Sequence, residues 1–452
     1  MAEEPPDLPA PLPKAAPPDK ASGIAVADEQ SDNERLRTVG RGLLFLPKLV
    51  FWAAVQPIRG TVYVYERYDL RNRFVDATFT DDRKFGVYPV AGYESAYGFT
   101  VGARVLYKDI FDEGERIALR ANYGGEFRYA LGIGGNTGKR FGRVRIDADS
   151  SIERRTREKF YGIGNDHKEI ATPLEMPIDP TVTDVALQSR FSQDVMRNVV
   201  GVKVRFTDEL TTRLSGAWMT REFGGSDKDD ITVRYDTSKL IGFDDGLNNI
   251  YVDNEVAYDS RRPSTQYATQ TIDGTGWLVR AHGGIGRGLK DDPTSYIRYG
   301  GEVQRYFDLY RGTRTLALRV LADAVAGTDG RTDGKISFVD LPRLGGSEFL
   351  RGYTSGRFRD RVVVLATAEY TWPLMHNASA FTFFDVGEPL YSFDELTKDT
   401  DRIRFGYGIG IQVHTRNTFL MRTQIAMSRE GNFSFNLVFS PAFGRRDRVG
   451  RF

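Results

Sequence analysis

The groups in this sequence that could do chemistry are four histidines and scattered acidic pairs, and none is spaced for it. His167, His282, His376 and His414 lack metal-ligand spacing such as His-x-x-x-His. His414 continues the polar register of a strand-like run and reads as a residue lining an interior. Cysteine is absent, which excludes a disulfide framework, a thiolate metal site and a cysteine nucleophile. "GGSEF" (345–349) lacks the second glycine and the strand-to-helix setting of a nucleophile elbow. "GIGGNTGKR" (132–140) looks like a phosphate loop, but no GK[ST] follows, and a hairpin explains its glycines better. Asp229, Asp230, Asp244 and Asp245 could hold a divalent cation, although a solvated loop is the better reading. No catalytic residue, cofactor or metal is expected.

A different arrangement stands out at 344–358, "LGGSEFLRGYTSGRF". Four glycines let the chain fold back on itself, and one arginine, Arg351, sits at the centre between Leu350 and Gly352. A guanidinium in such a loop becomes informative only once its surroundings are known, so the elements that hold it matter first.

Net charge is +1, from 62 basic and 61 acidic residues, so the balance names no nucleic-acid or acidic partner. Mean hydropathy is −0.41, and no apolar run reaches the ~18 residues of a membrane helix. Yet the chain carries 47 Gly, 29 Phe and 22 Tyr. A β-barrel reconciles these facts, because only every second residue of its strands meets lipid.

Residues 1–34 are rich in Pro, Ala and acidic residues and read as an unfolded segment. "MAEEPP" has neither the basic start nor the apolar core of a secretory signal, so for an exported chain that signal is missing from this sequence. Residues 35–57 repeat Leu36, Val39, Leu43, Leu46 and Val50 at helical spacing. This is either an interfacial amphipathic helix kinked at Pro47 or a helix packed on or inside the body; an internal signal-like segment is disfavoured by the long polar lead.

From about residue 95 the period becomes two. Tyr97, Phe99, Val101, Val105 and Tyr107 alternate with small or polar residues, and so do Phe405, Tyr407, Ile409 and Ile411 further on. The runs are about 9–13 residues long, enough for a tilted strand to cross hydrocarbon. Paired charges on the polar face suit a wet lumen better than the core of a soluble sandwich. Roughly sixteen strands are expected, beginning at 96–107 and including separate strands at 182–195 and 196–207. The expected fold is an all-β transmembrane antiparallel barrel over 60–443, with a short basic tail at 444–452. Strand parity puts the 156–181 connection on the periplasmic side.

Residues 326–360 then fall between the eleventh and twelfth strands, with "LRGY" at 350–353. "FFDVG" (383–387) lies on the thirteenth, preceded by "EYTWPL" (369–374), while "FYGIGND" (160–166) and "YDSRRP" (258–263) come earlier. In this order the phrases resemble the BamA/TamA outer-membrane barrel superfamily, the bacterial surface antigens. The resemblance implies an inward-folded loop whose Arg351–Gly352–Tyr353 tip lies in the lumen. Arg351 would be held between Glu369 and Asp385 on the wall, with Tyr353 against Phe383, and Gly387 completing the strand motif. A solvated surface arginine is the plain alternative.

The resemblance also implies a Gram-negative outer membrane, contact with its lipid, and the barrel-assembly machinery reading an aromatic-rich last strand. The proline-rich start leaves no room for the family's periplasmic POTRA domains, so any such role would need a separate periplasmic partner. The leading expectation is help with insertion or translocation of protein or lipid through a seam between the first and last strands. The alternative is a passive pore with an anion preference from Arg104, Arg120, Arg319, Arg404 and Arg422. A retained scaffold or surface antigen is a further reading, and no motif supports an enzyme.

Overall fold

A computed structural model describes residues 67–94, 98–164, 188–263, 273–310, 313–328, 336–375, 377–396, 400–414 and 419–438, with Phe443 and Arg448 of the tail. The expected disordered segment 1–34 and helix 35–57 lie outside these residues. Asp69–Phe452 forms one compact unit, and the sheet lies within it.

Sixteen long strands make up this unit. They are β1 (Phe85–Glu94), β2 (Gly98–Lys108), β3 (Arg116–Tyr123), β4 (Arg128–Asn136), β5 (Val144–Phe160) and β6 (Ser189–Arg205). There follow β7 (Leu210–Gly224), β8 (Leu247–Asp259), β9 (Asp273–Gly288), β10 (Ser295–Asp308) and β11 (Thr315–Gly327). The last five are β12 (Val362–Met375), β13 (Ala378–Leu390), β14 (Arg404–His414), β15 (Phe419–Ser428) and β16 (Phe433–Val438). Antiparallel ladders join each strand to the next in chain order. Among the described residues no ladder joins β1 to β16.

The total agrees with the sequence reading, but two of its parts do not. The reading starts the sheet one strand late, because Pro89 and two glycines make 85–94 a poor strand. Proline costs a ladder bond only where its N–H is needed, and among the described residues β1 has a ladder only with β2, beyond one bridge of Gly86 to Phe79. Conversely, 182–195 and 196–207 are not two strands. Phe191, Gln193, Arg197 and Val199 face inward without a break through β6, a single 17-residue strand. Met196-Arg197-Asn198 resembles a turn only by composition.

These errors cancel in the total but not in parity. The connection after Phe160 follows the fifth strand, not the fourth. It therefore shares a rim with the loop between β11 and β12, which follows an odd strand too. That far rim is opposite the rim where β1 begins and β16 ends, so the expected periplasmic placement is overturned.

Alternation sets the two faces. Phe99, Leu131, Ile133, Val200, Ile285 and Ile425 are exposed on the outer face, as lipid-facing positions must be. The inner face carries buried Arg, Asp, Glu and Gln, which bind one another in preference to standing alone. At the far rim Phe338 lies 5.2–5.7 Å from the rings of Phe160, Phe191 and Phe223, and with Ile231, Tyr235 and Phe243 forms a buried aromatic cap. Helix α1 (Leu70–Thr78) precedes β1; just beyond it, Phe79 stacks on Tyr88 at 6.0 Å.

Candidate functional site

The loop between β11 and β12 turns into the lumen. Gly345, Gly346 and Gly352 have φ of 108°, 100° and 98°, a region that suits glycine. A Cβ on Gly352 would stand 2.9 Å from the Met427 carbonyl of β15, so the bare backbone is what allows this approach. Gly406 of β14 does the same from the wall, since a Cβ there would lie 1.7 Å from the Arg351 carbonyl oxygen. The loop's apolar side chains, Leu344, Leu350, Tyr353 and Phe358, bury against Leu321, Val363 and Leu365 of the wall.

Arg351 is the best-bonded residue of the tip. Its Nε and Nη2 donate to the two oxygens of Asp385, each at 2.8 Å, and its backbone N–H donates to the same carboxylate at 2.9 Å. Nη1 donates to Glu369 at 2.7 Å. All three residues are under 5% exposed. Burial works against the arginine's charge, but Asp385 and then Glu369 more than offset it, so its pKa rises above the ordinary guanidinium value. Asp385 binds it as a fork, and Glu369 takes the remaining edge.

Glu369 also accepts from Arg422 of β15. The cluster is thus two arginines with two carboxylates, neutral in sum. Each guanidinium lies over a ring of β13, Arg351 3.5 Å from the centroid of Phe383 and Arg422 3.6 Å from that of Phe381. Two further bonds tie down the tip: Gln424 to the Ser347 carbonyl at 2.8 Å, and Arg319 to the Glu348 carbonyl at 3.1 Å.

One contact expected from sequence differs. Tyr353 packs on Phe358, with centroids 5.1 Å apart, not on Phe383, whose face is taken by Arg351. Gly387 leaves room for Leu344, whose Cδ1 would stand 3.1 Å from a Cβ there. Sequence reasoning did not single out Gly406 or Gln424. A small residue at every second position of β14, at 406, 408 and 410, was the signal for a bare inner wall.

Most of the lumen arginines are compensated. Arg120 pairs with Asp149, Arg319 with Glu302 at 2.7 Å, Arg404 with Glu430 at 3.0 Å, and Arg422 with Glu369. Arg104 is exposed and has no ion-pair partner among the described residues. Such pairing weakens the field an anion-selective pore needs.

The other groups have local duties. Asp230 caps the 231–234 helical turn, accepting from Thr232 N at 3.1 Å, and Asp229 binds Arg234 at 3.0 Å. Asn136 accepts from Gly138 N at 3.1 Å in a hairpin turn. His282 stands 3.4 Å from Asp323, and His414 3.4 Å from Ser379 Oγ; His167 and His376 lie outside the described residues. The "FYGIG" phrase ties the loop to the far rim, since Gly164 N donates to the Arg359 carbonyl at 2.8 Å.

Among curated proteins no sequence matches. Among solved structures the fold is similar to BamA from Haemophilus ducreyi lacking POTRA domains 1–3, with a TM-score of 0.53 at 12% identity, covering 78% of this chain and 69% of that one. CdiB from Acinetobacter baumannii and from Escherichia coli align at 9% and 11% identity with TM-scores of 0.46 and 0.47. Each alignment covers 78% of this chain, and the chain spans 58% and 61% of their lengths. The Omp85 superfamily domain matches residues 109–440. With that match across most of the sheet, and an antiparallel barrel whose long loop enters the lumen, the chain belongs to the Omp85 superfamily of outer-membrane β-barrels.

Proposed function

We propose that this barrel helps to insert or move protein or lipid at the outer membrane through the seam between β1 and β16, without covalent chemistry. One observation carries the reading. Among the described residues β1 shares a ladder only with β2, apart from a single bridge between Gly86 and Phe79, and β16, six residues long, pairs only with β15. Edge strands with unsatisfied N–H and C=O groups are costly in hydrocarbon. Such a seam can be relieved by pairing with an incoming strand, or by disordering nearby lipid.

In this reading Arg351, with Glu369 and Asp385, is a positioning residue. It fixes the inner loop, and with it the shape of the wall from β11 to β15. Outer-membrane lipid is the standing partner, and a client polypeptide with a free strand edge is the transient one.

The test uses the absence of native cysteine. One cysteine is placed on β1 and one on β16, and the pair is oxidised to lock the seam. The measured quantity is the folding rate of a reporter barrel into vesicles holding this protein. The open form should accelerate folding over empty vesicles, the locked form should not, and reduction should restore the effect. Equal rates for the locked and open forms would refute the seam mechanism.

A further inference from the structure

The chain does not stop at the wall. Beyond β16, Phe443 is buried against Tyr306 of β10 and Ala317 of β11, its ring centroid 6.2 Å from that of Tyr306. The Arg319 guanidinium lies 5.5 Å from the same ring. Five residues later, Arg448 reaches β8. Its Nε and Nη2 donate to the two oxygens of Asp253 at 3.3 and 2.9 Å, and Nη2 also donates to Glu255 at 2.6 Å. The Arg448 side chain is 6% exposed, and both acids are buried on the inner face of their strand. Tyr251 Oη donates to Asp253 at 2.9 Å and fixes that carboxylate.

These strands are not neighbours of β16. In the ladder order β11 and β10 stand five and six strands away from it, and β8 stands eight away, half of the sheet. A tail that left along the wall would meet β15, or pass into solvent. Phe443, on β10–β11, and Arg448, on β8, therefore lie against the inner face far from the strand they follow.

We infer that Asp253 and Glu255 form a guanidinium-binding site in the lumen, with Arg448 as its resident ligand, so that Phe443 and Arg448 fasten the C-terminal tail to the inner wall at points separate from the Arg351 loop. A forked donor facing a carboxylate pair makes charge-assisted bonds that a lysine or a neutral side chain reproduces only in part. Phe443 supplies the apolar anchor and Arg448 the latch. This inference does not depend on the seam mechanism, and it is read by a different signal.

The test is carried out on the full chain. Gly450→Cys, two residues beyond Arg448, gives a single thiol in a cysteine-free background, and its reaction with a bulky polyethylene glycol maleimide reports release of the Arg448 latch. Loss of the charge-assisted bonds in Arg448→Ala should raise the labelling rate roughly tenfold to a hundredfold. Arg448→Lys should fall between the two. Asp253→Asn with Glu255→Gln should match Arg448→Ala from the wall side. Because Arg448 lies outside the strands, its variant tests the latch even if the wall variant fails to fold, with heat-modifiable gel mobility as the check on folding. Mean single-channel current should rise along with labelling. Equal labelling of Gly450→Cys with and without Arg448→Ala, in folded protein, would overturn the inference.

Discussion

Replacing Arg351 with alanine removes three side-chain bonds, two to Asp385 and one to Glu369, and the ring contact with Phe383. The two acids do not suffer equally. Glu369 keeps Arg422. Asp385, 1% exposed, keeps one hydrogen bond among the described residues, from the residue 351 backbone N–H, which alanine still provides. Breaking a buried pair by removing one partner costs about 3–5 kcal/mol, most of it the penalty for the charge left behind. The expected loss is therefore in that range and is centred on Asp385. It follows that Arg351→Ala with Asp385→Ala should be more stable than Arg351→Ala alone, because the orphaned carboxylate is gone. Adding Glu369→Ala instead should make matters worse, since it strands Arg422. The assay is equilibrium urea unfolding in lipid vesicles, followed by tryptophan fluorescence and gel mobility. A cost below about 1 kcal/mol, typical of exposed pairs, would refute the reasoning, as would a double variant less stable than the single one.

Three other outcomes are expected. Gly406→Ala places a methyl 1.7 Å from the Arg351 carbonyl oxygen and should expel the loop tip, giving larger and steadier single-channel currents than the wild type; unchanged currents would count against a tucked tip. Burial in the far-rim cap pushes the Tyr235 phenol up to about 12. Its contribution to stability is present below the unfolded value near 10 and is lost as pH rises through about 12, a dependence that Tyr235→Phe should remove in urea titrations across that window. Phe338→Ala empties the centre of the cap and should cost about 3–5 kcal/mol, with faster protease nicking between 225 and 246 as the readout.

Much of the site could be read in the sequence, because its groups lie on regular strands. Period-two alternation puts Glu369 and Asp385 on the same face as the polar residues around them, and the glycines around Arg351 announce a tight inward turn. Contacts between elements distant in sequence could not be read in this way. That Arg422 shares Glu369 depends on how β15 curves back towards β12, which no local pattern records. Tyr353 could not be assigned to Phe358 over Phe383, since both rings are within reach of the tip and the guanidinium decides which one is free. β1 was missed because proline and glycine lower strand propensity, while an edge position tolerates them. In the sequence the tail is only a basic end, since composition does not say where a chain goes after its last strand.

The long loop is held at its tip and at its base. Its tip is bound through Arg351, and its base through Asp340, which accepts from Arg221 of β7 at 2.7 Å. Arg351 lies eleven residue steps beyond Asp340, a tether of ~36–40 Å when fully drawn out. Freeing the tip therefore sets a swing radius and does not release the segment. The tip can travel along the lumen while the base stays under the aromatic cap. Events at the tip are mechanically insulated from the far-rim surface, so a probe or antibody bound there would not register whether the tip is locked or free.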